Sequence, residues 1–163
     1  MTDVDKPLPE LTAADLMSRD VIVIPEDMPL REAAHLLMRH QVTGAPVVNC
    51  CRAVVGVLSA TDFVRHLDVH PNAGSHSACD CYLADWQMAD VDSLPLDAVR
   101  HSMTADPVTV SPDTPVRDLA RMMVDAHIHR VIVVDETGQP VGIVASTDVL
   151  ALIARAQEPA MVH

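Results

Sequence analysis

The sequence is poor in positive charge. Lys6 is the only lysine, and 11 lysine and arginine residues stand against 23 aspartate and glutamate residues, which gives a formal net charge of −12. Proteins that bind nucleic acid or anionic membranes hold these partners with clusters of basic residues. The composition therefore argues against both classes of partner, and we expect any anionic ligand to be held by a few local groups.

Aromatic residues and long apolar runs are also scarce. The chain has one Trp, one Tyr and one Phe, and no apolar run approaches the roughly 20 residues of a transmembrane helix. The start, MTDVDKPLPEL, has neither the basic nor the apolar region of a signal peptide. The four cysteines form two close pairs, unlike the spread framework of a disulfide-stapled secreted domain. We therefore expect a cytoplasmic protein with reduced thiols.

A repeat accounts for most of the chain. The stretch GVLSATD ends at Asp62, and GIVASTD ends at Asp148, 86 positions later. A gapless overlay of residues 17–67 on residues 103–153 matches 12 of 51 positions, far more than composition alone would give. The mismatches are mostly conservative, so we expect both copies to adopt the same fold.

Each copy has the pattern strand, helix, strand, strand, helix. Apolar residues recur at i, i+3, i+4, i+7 and i+8 from Leu30 and from Val116, which predicts one buried helical face in each copy, ending at Met38 and Val124. Short lead-in helices are predicted over 11–17 and 98–103. The predicted strands are 21–24, 45–48 and 54–58 in the first copy and 108–110, 131–134 and 141–144 in the second, with last helices from Thr61 and Thr147. A unit of about 50 residues buries too little alone, so we expect the two to pack together as an α+β, sandwich-like fold.

This order of elements and motifs resembles the CBS domain, named after cystathionine β-synthase, and the tandem resembles a CBS pair or Bateman module. The resemblance implies two β-α-β-β-α repeats packed with pseudo-two-fold symmetry and two clefts between them. In many members these clefts bind AMP, ATP or S-adenosylmethionine, and the pairs commonly form homodimers. The expected boundaries are an N-terminal tail 1–11, CBS domain 1 at 12–67, a connecting segment 68–97, CBS domain 2 at 98–156 and a C-terminal tail 157–163.

The doubled motif suits an adenosine ligand. A carboxylate in the first turn of a helix can accept both ribose hydroxyls, while Ser, Thr and free helix N–H groups can reach phosphate. We expect the glycine of each motif, Gly56 or Gly142, to end its strand where the backbone passes close to the ligand. Helix capping by the threonines is the alternative interpretation. The candidates are Ser59, Thr61 and Asp62 in the first copy, and Ser146, Thr147 and Asp148 in the second.

The two copies differ beside the motif. Ala145 stands where the first copy has Ser59, which removes a hydroxyl and weakens the second motif. The pair His129 and Arg130 precedes a strand and resembles the nucleotide-sensing repeats of the γ subunit of AMP-activated protein kinase, where such a pair faces phosphates; a solvated strand end is the alternative. The aligned first-copy stretch is uncharged, and we expect its backbone at Ala45, Pro46 and Val47 to read an adenine edge.

The connecting segment 68–97 has no counterpart in the repeat. Thiolates and imidazoles are ligands that zinc and copper prefer, but their spacing here is not specific for zinc. Free thiols and a helix that buries the two aromatic residues are the alternative. The residues concerned are His70, His76, Cys79, Cys81, Tyr82 and Trp86, to which Cys50 and Cys51 on a hairpin turn could add thiolates.

These observations predict a non-catalytic regulatory module. It would bind an adenosine-containing ligand, AMP, ADP, ATP or S-adenosylmethionine, and signal to a partner protein that the sequence does not identify. The sequence shows no nucleophile paired with a base and no Gly-rich phosphate loop, so we do not expect an enzyme. Two alternatives remain: a redox or metal sensor acting through Cys50, Cys51, Cys79 and Cys81, or a structural interaction module without a ligand.

Overall fold

The computed structural model describes residues 10–69 and 94–156. The Cys/His-containing segment, with His70, His76, Cys79, Cys81, Tyr82 and Trp86, lies outside the described residues. In chain order the elements are α1 (Ala13–Leu16), β1 (Ile24–Pro25), α2 (Leu30–His40), β2 (Gly44–Val48), β3 (Val54–Ser59), α3 (Ala60–Val69), a 3-10 turn (Val99–His101), β4 (Thr104–Ala105), β5 (Thr109–Val110), α4 (Val116–Asp125), β6 (Arg130–Val134), β7 (Pro140–Ala145) and α5 (Ser146–Ala156). The α+β class and the repeated strand–helix–strand–strand–helix order are confirmed.

The described residues form two compact units. The first-repeat unit comprises residues 22–51, 55–69 and 94–107, and the second-repeat unit comprises residues 10–21, 52–54 and 108–156. The first unit contains a sheet of order β1-β2-β3-β4, and the second contains a sheet of order β5-β6-β7. In each unit the first two strands are parallel. In the second unit β7 is antiparallel to β6, with Arg130 opposite Ala145, and in the first unit β4 is antiparallel to β3.

The helices bury most of the face that their periodicity predicts, but Val124, at the end of the predicted face of α4, is 71% exposed. In α2 the buried residues are Leu30, Ala33, Ala34 and Leu37, and in α4 they are Val116, Leu119 and Met123. Pro29 directly precedes α2, and Pro115 directly precedes α4. At the start of a helix the N–H that proline lacks would have no partner within the helix, so no hydrogen bond is lost. No helix within 10–69 and 94–156 combines the length and apolar character needed to cross a membrane.

The lead-in of each repeat packs on the core of the other repeat. Leu11 and Ala13 belong to the core of the second-repeat unit, and the Val116 N–H donates to the Leu11 carbonyl at 2.9 Å. Likewise Leu94 and Val99 belong to the first-repeat core, and the Val99 N–H donates to the Met28 carbonyl at 2.9 Å. Each compact unit is therefore assembled from segments that are distant in the sequence.

The glycine of each motif lies within its strand, so the expectation that Gly56 and Gly142 end their strands is wrong. Gly56 is the third residue of β3, and Gly142 is the third residue of β7. A Cβ on Gly56 would lie 3.0 Å from Met103 Cγ, and a Cβ on Gly142 would lie 2.8 Å from Met17 Cβ. The missing side chains thus make room for the lead-in methionines.

We expect Gly56→Ala to lower the free energy of unfolding by about 1–3 kcal/mol, because overpacking forces neighbouring groups to move. The new Cβ would meet the Thr104 carbonyl oxygen at 2.9 Å, and a backbone atom cannot swing aside as a side chain does. Urea unfolding measures the change. The matched control is Gly138→Ala, where the built Cβ has 3.7 Å to its neighbour but the φ of +79° adds backbone strain. If Gly56→Ala leaves the free energy of unfolding unchanged, the packing against β4 does not require a glycine at this position.

Candidate functional site

Asp62 is a buried carboxylate whose two oxygens are both engaged by the protein. Asp62 is only 4% exposed to solvent. Asp62 Oδ2 accepts the Ser59 N–H and the Ser59 hydroxyl, each at 2.8 Å, and Asp62 Oδ1 accepts the Thr104 hydroxyl at 3.0 Å. The exposed Arg65 places Nη1 3.6 Å from Oδ1. Through these hydrogen bonds the carboxylate connects the start of α3 to the end of β3 and to β4.

The arrangement at Asp62 is one half of a capping box. Ser59 directly precedes α3, and Asp62 is the third residue of that helix, so its carboxylate reaches back to the Ser59 N–H. Thr61 is exposed on the first turn. The aspartate is thus the capping residue, in place of the threonine that the sequence suggested.

Asp148 stands at the matching position of the second copy with far fewer partners. It is half-buried, and its Oδ2 accepts the Ala145 N–H at 2.8 Å, the single hydrogen bond it makes within the described part of the chain. At the offset of 86, the three residues that engage Asp62 are replaced: Ser59 by Ala145, Arg65 by Ala151 and Thr104 by Ser18. Asp148 Oδ1 therefore keeps its capacity to accept hydrogen bonds.

The structure brings His129 and Arg130 to the same strand end as Asp148. The Ser146 N–H donates to the His129 carbonyl at 2.9 Å. Arg130 lies opposite Ala145, and the Ala145 N–H donates to Asp148 Oδ2. Both side chains are exposed, and the Arg130 guanidinium has no ion pair within the ranges that the structure describes. A forked cation and a carboxylate therefore flank one strand end, with Ser146 half-buried between them and Thr147 exposed.

The first copy offers a different surface at the corresponding place. The side chains of Ala45, Pro46 and Val47 are buried in the core, so only their backbone could face a ligand. At Gly44, the position that matches Arg130, a Cβ would lie 2.9 Å from the Leu58 carbonyl oxygen and 3.2 Å from Ser59 Cβ. The close packing of β2 on β3 thus excludes an arginine here without a rearrangement.

One partner of Asp62, Thr104, carried no sequence signal. Thr104 is 42 positions away, and β4 is too short to show a strand periodicity. The Ser59-x-x-Asp62 spacing is itself a capping signature and could have been recognised. Cys50 and Cys51 are exposed, and no group of three or more metal-ligating side chains occurs in residues 10–69 and 94–156.

Comparison with known proteins identifies the family. The model of the CBS domain matches residues 13–69 and 97–155. The chain belongs to the CBS domain family. Among solved structures, the CBS domain pair of protein MJ0100, in complex with 5′-methylthioadenosine and S-adenosyl-L-methionine, has a TM-score of 0.69 at 23% identity and covers 91% of this chain and 100% of its own. The structure of CBSX2 in complex with AMP has a TM-score of 0.68 at 25% identity and covers 90% of this chain and 98% of its own. The tandem CBS pair predicted from the repeat is confirmed.

Curated relatives of different length align with most of this chain. The uncharacterised protein MJ1426 of Methanocaldococcus jannaschii is 29% identical, over 83% of this chain and 87% of its own. A homoserine O-acetyltransferase of Methanosalsum zhilinae is 22% identical over 90% of this chain. This CBS pair spans 25% of that acetyltransferase and 41% of another M. jannaschii relative.

Proposed function

We propose that this CBS pair is a non-catalytic regulatory module that binds an adenosine-containing ligand at the junction of β7 and α5. The observation that carries the proposal is that Asp148, with one hydrogen bond from Ala145, and Arg130, opposite Ala145 and with no ion pair in the described part of the chain, share one strand end. A regulatory ligand acts by binding one state of the module more tightly than another, and a partner protein reads that shift.

Asp148 is the proposed ribose ligand. An ionised carboxylate has several lone pairs, so one hydrogen bond from the Ala145 N–H leaves capacity for two ribose hydroxyls. The half-buried position favours this role, because hydrogen bonds to a charged acceptor are stronger where water is partly excluded.

Arg130 and His129 are the proposed phosphate ligands. The guanidinium is permanently charged and matches phosphate oxygens in a forked geometry, and a protonated imidazole adds a second donor. Ser146 and Thr147 at the start of α5 add hydroxyls near the N-terminal N–H groups of an 11-residue helix. This set suits a phosphorylated adenosine, and the AMP complex of CBSX2, at 25% identity, supports that ligand class. S-adenosylmethionine is a second candidate ligand, because the CBS domain pair of MJ0100 binds it.

We assign the first-repeat motif a mainly structural role. Asp62 is buried and its oxygens already accept three hydrogen bonds, so a ribose would have to displace Ser59 or Thr104. Ser59 and Thr61, and the backbone of Ala45, Pro46 and Val47, remain candidates for a second, weaker site. The proposal therefore predicts one dominant ligand per chain.

We further propose a homodimer formed through α4 and α5. These helices contact each other and leave three large apolar side chains exposed, Val124 at 71%, Leu150 at 63% and Ile153 at 46%. Exposed apolar residues on adjacent helices favour a protein partner, and a two-fold dimer would pair this face with its own copy.

Isothermal titration of the full, reduced chain with AMP, ADP, ATP and S-adenosylmethionine tests the ligand proposal. We expect micromolar binding of at least one adenosine ligand with a stoichiometry near one per chain. GMP is the matched control, since it carries the same ribose and phosphate with a different base. If none of the four gives heat or shifts the melting temperature, the module does not bind adenosine ligands and the structural interpretation replaces this one.

A further inference from the structure

We propose that Cys50 and Cys51 form a bidentate dithiol site that captures trivalent arsenic compounds and related thiophilic metalloids. The two residues lie on the turn between β2 and β3, and both are exposed. Their sulfur atoms are 3.9 Å apart. The matching residues of the second copy, Glu136 and Thr137, have no thiol, so the site belongs to the first repeat alone.

The turn geometry brings the two sulfurs to the same side of the backbone. Neighbouring residues of an extended strand point to opposite faces, which would separate the thiols. Here the Cys51 N–H donates to Asn49 Oδ1 at 2.9 Å, and Arg52 adopts the left-handed conformation with a φ of 65°. This tight turn presents both thiols together to an approaching electrophile.

A bridging atom fits this pair better than a direct disulfide does. Consecutive Cα atoms are about 3.8 Å apart, whereas the Cα atoms of ordinary disulfides are roughly 4.4–6.8 Å apart. A direct bond between Cys50 and Cys51 would therefore close a strained ring, while an inserted arsenic atom lengthens the bridge. Two sulfur donors also satisfy a group that needs two bonds, whereas structural zinc takes four ligands.

The reaction is a condensation without a change of oxidation state. With phenylarsine oxide, two arsenic–sulfur bonds form and the two S–H bonds and the arsenic–oxygen bond break, and the oxygen leaves as water with both thiol protons. Hydrogen bonding with Cys50 and the charge of that neighbour raise the pKa of the Cys51 thiol.

The test uses the full chain with Cys79→Ser and Cys81→Ser, which leaves Cys50 and Cys51 as the two thiols among the original four. Phenylarsine oxide is titrated while free thiols are counted colorimetrically and adducts are weighed by intact-protein mass spectrometry. We expect one equivalent to remove both thiols, with dimercaptopropanol reversing the adduct and excess glutathione leaving it in place. A further Cys50→Ser or Cys51→Ser change should weaken capture at least about tenfold, because the second bond is then intermolecular.

Two results would overturn the proposal. One is a single-cysteine variant that captures the probe as tightly as the two-thiol chain. The other is consumption of two equivalents, one at each sulfur. Since both side chains are exposed, serine should leave the melting temperature unchanged, and a melting curve for each variant separates loss of chelation from loss of the fold.

Discussion

Replacing Asp62 by alanine should lower the free energy of unfolding by about 3 kcal/mol, the largest stability loss we expect from a polar residue of the motif. The change removes the acceptor for the Ser59 N–H, the Ser59 hydroxyl and the Thr104 hydroxyl at a nearly buried position. Hydrogen bonds to a charged group contribute about 1.5–3 kcal/mol each, and donors left without a partner in a buried place add a penalty. Urea unfolding at neutral pH measures the loss.

Asp148→Ala is the matched control for this experiment. It deletes the same side chain from the same helical position, but only one N–H, that of Ala145, loses its partner. We expect about 1 kcal/mol, the usual cost of removing a helix cap. Equal losses in the two variants would contradict the division of roles between the two copies.

Asp148→Ala should weaken binding of the adenosine ligand at least about a hundredfold. Two ribose hydroxyls would lose a charged acceptor, and about 1.4 kcal/mol corresponds to each tenfold change in affinity. Isothermal titration under the conditions used for the unchanged chain measures the effect. The variant should remain folded, because the side chain carries a single internal hydrogen bond.

Two further variants make the binding experiment specific. Asp118→Ala removes an exposed first-turn carboxylate from α4 and changes the net charge equally, so it should leave the affinity unchanged. Arg130→Ala should weaken ATP more than adenosine, because it removes a phosphate ligand and spares the ribose. If Asp62→Asn abolishes binding while Asp148→Ala retains it, the ligand occupies the first copy and our assignment is reversed.

The repeated order of strands and helices could be read from the sequence because it depends on local periodicity. Alternation and the 3.6-residue repeat identify which face of an element is buried, and Leu30, Leu37, Val116 and Leu119 lie on the predicted faces. Periodicity does not say which core a face meets. The sequence therefore predicted short lead-ins but gave no sign that each one packs on the other copy.

The roles of the two aspartates depended on partners that no local pattern reveals. The last two residues of the motif, Thr and Asp, are identical in both copies, and Ala145 suggested that the second was the poorer binder. Our proposal takes the opposite view, because the missing hydroxyl leaves Asp148 less engaged than Asp62. The interaction with Thr104 spans 42 positions and could be found only from the folded chain.

The crossed packing of the lead-ins also bears on how a nascent chain would acquire this fold. Leu11 meets Val116 across a separation of 105 residues, so α1 has no place to dock until the second repeat has emerged from the ribosome. At roughly 5–20 residues per second, that wait is on the order of 5–20 seconds. The first repeat meanwhile lacks Leu94, Val99 and β4, which complete its core and sheet. The apolar surface that these elements later cover is exposed in the meantime, which favours binding by chaperones. Contacts between residues that are distant in the sequence also favour slow folding.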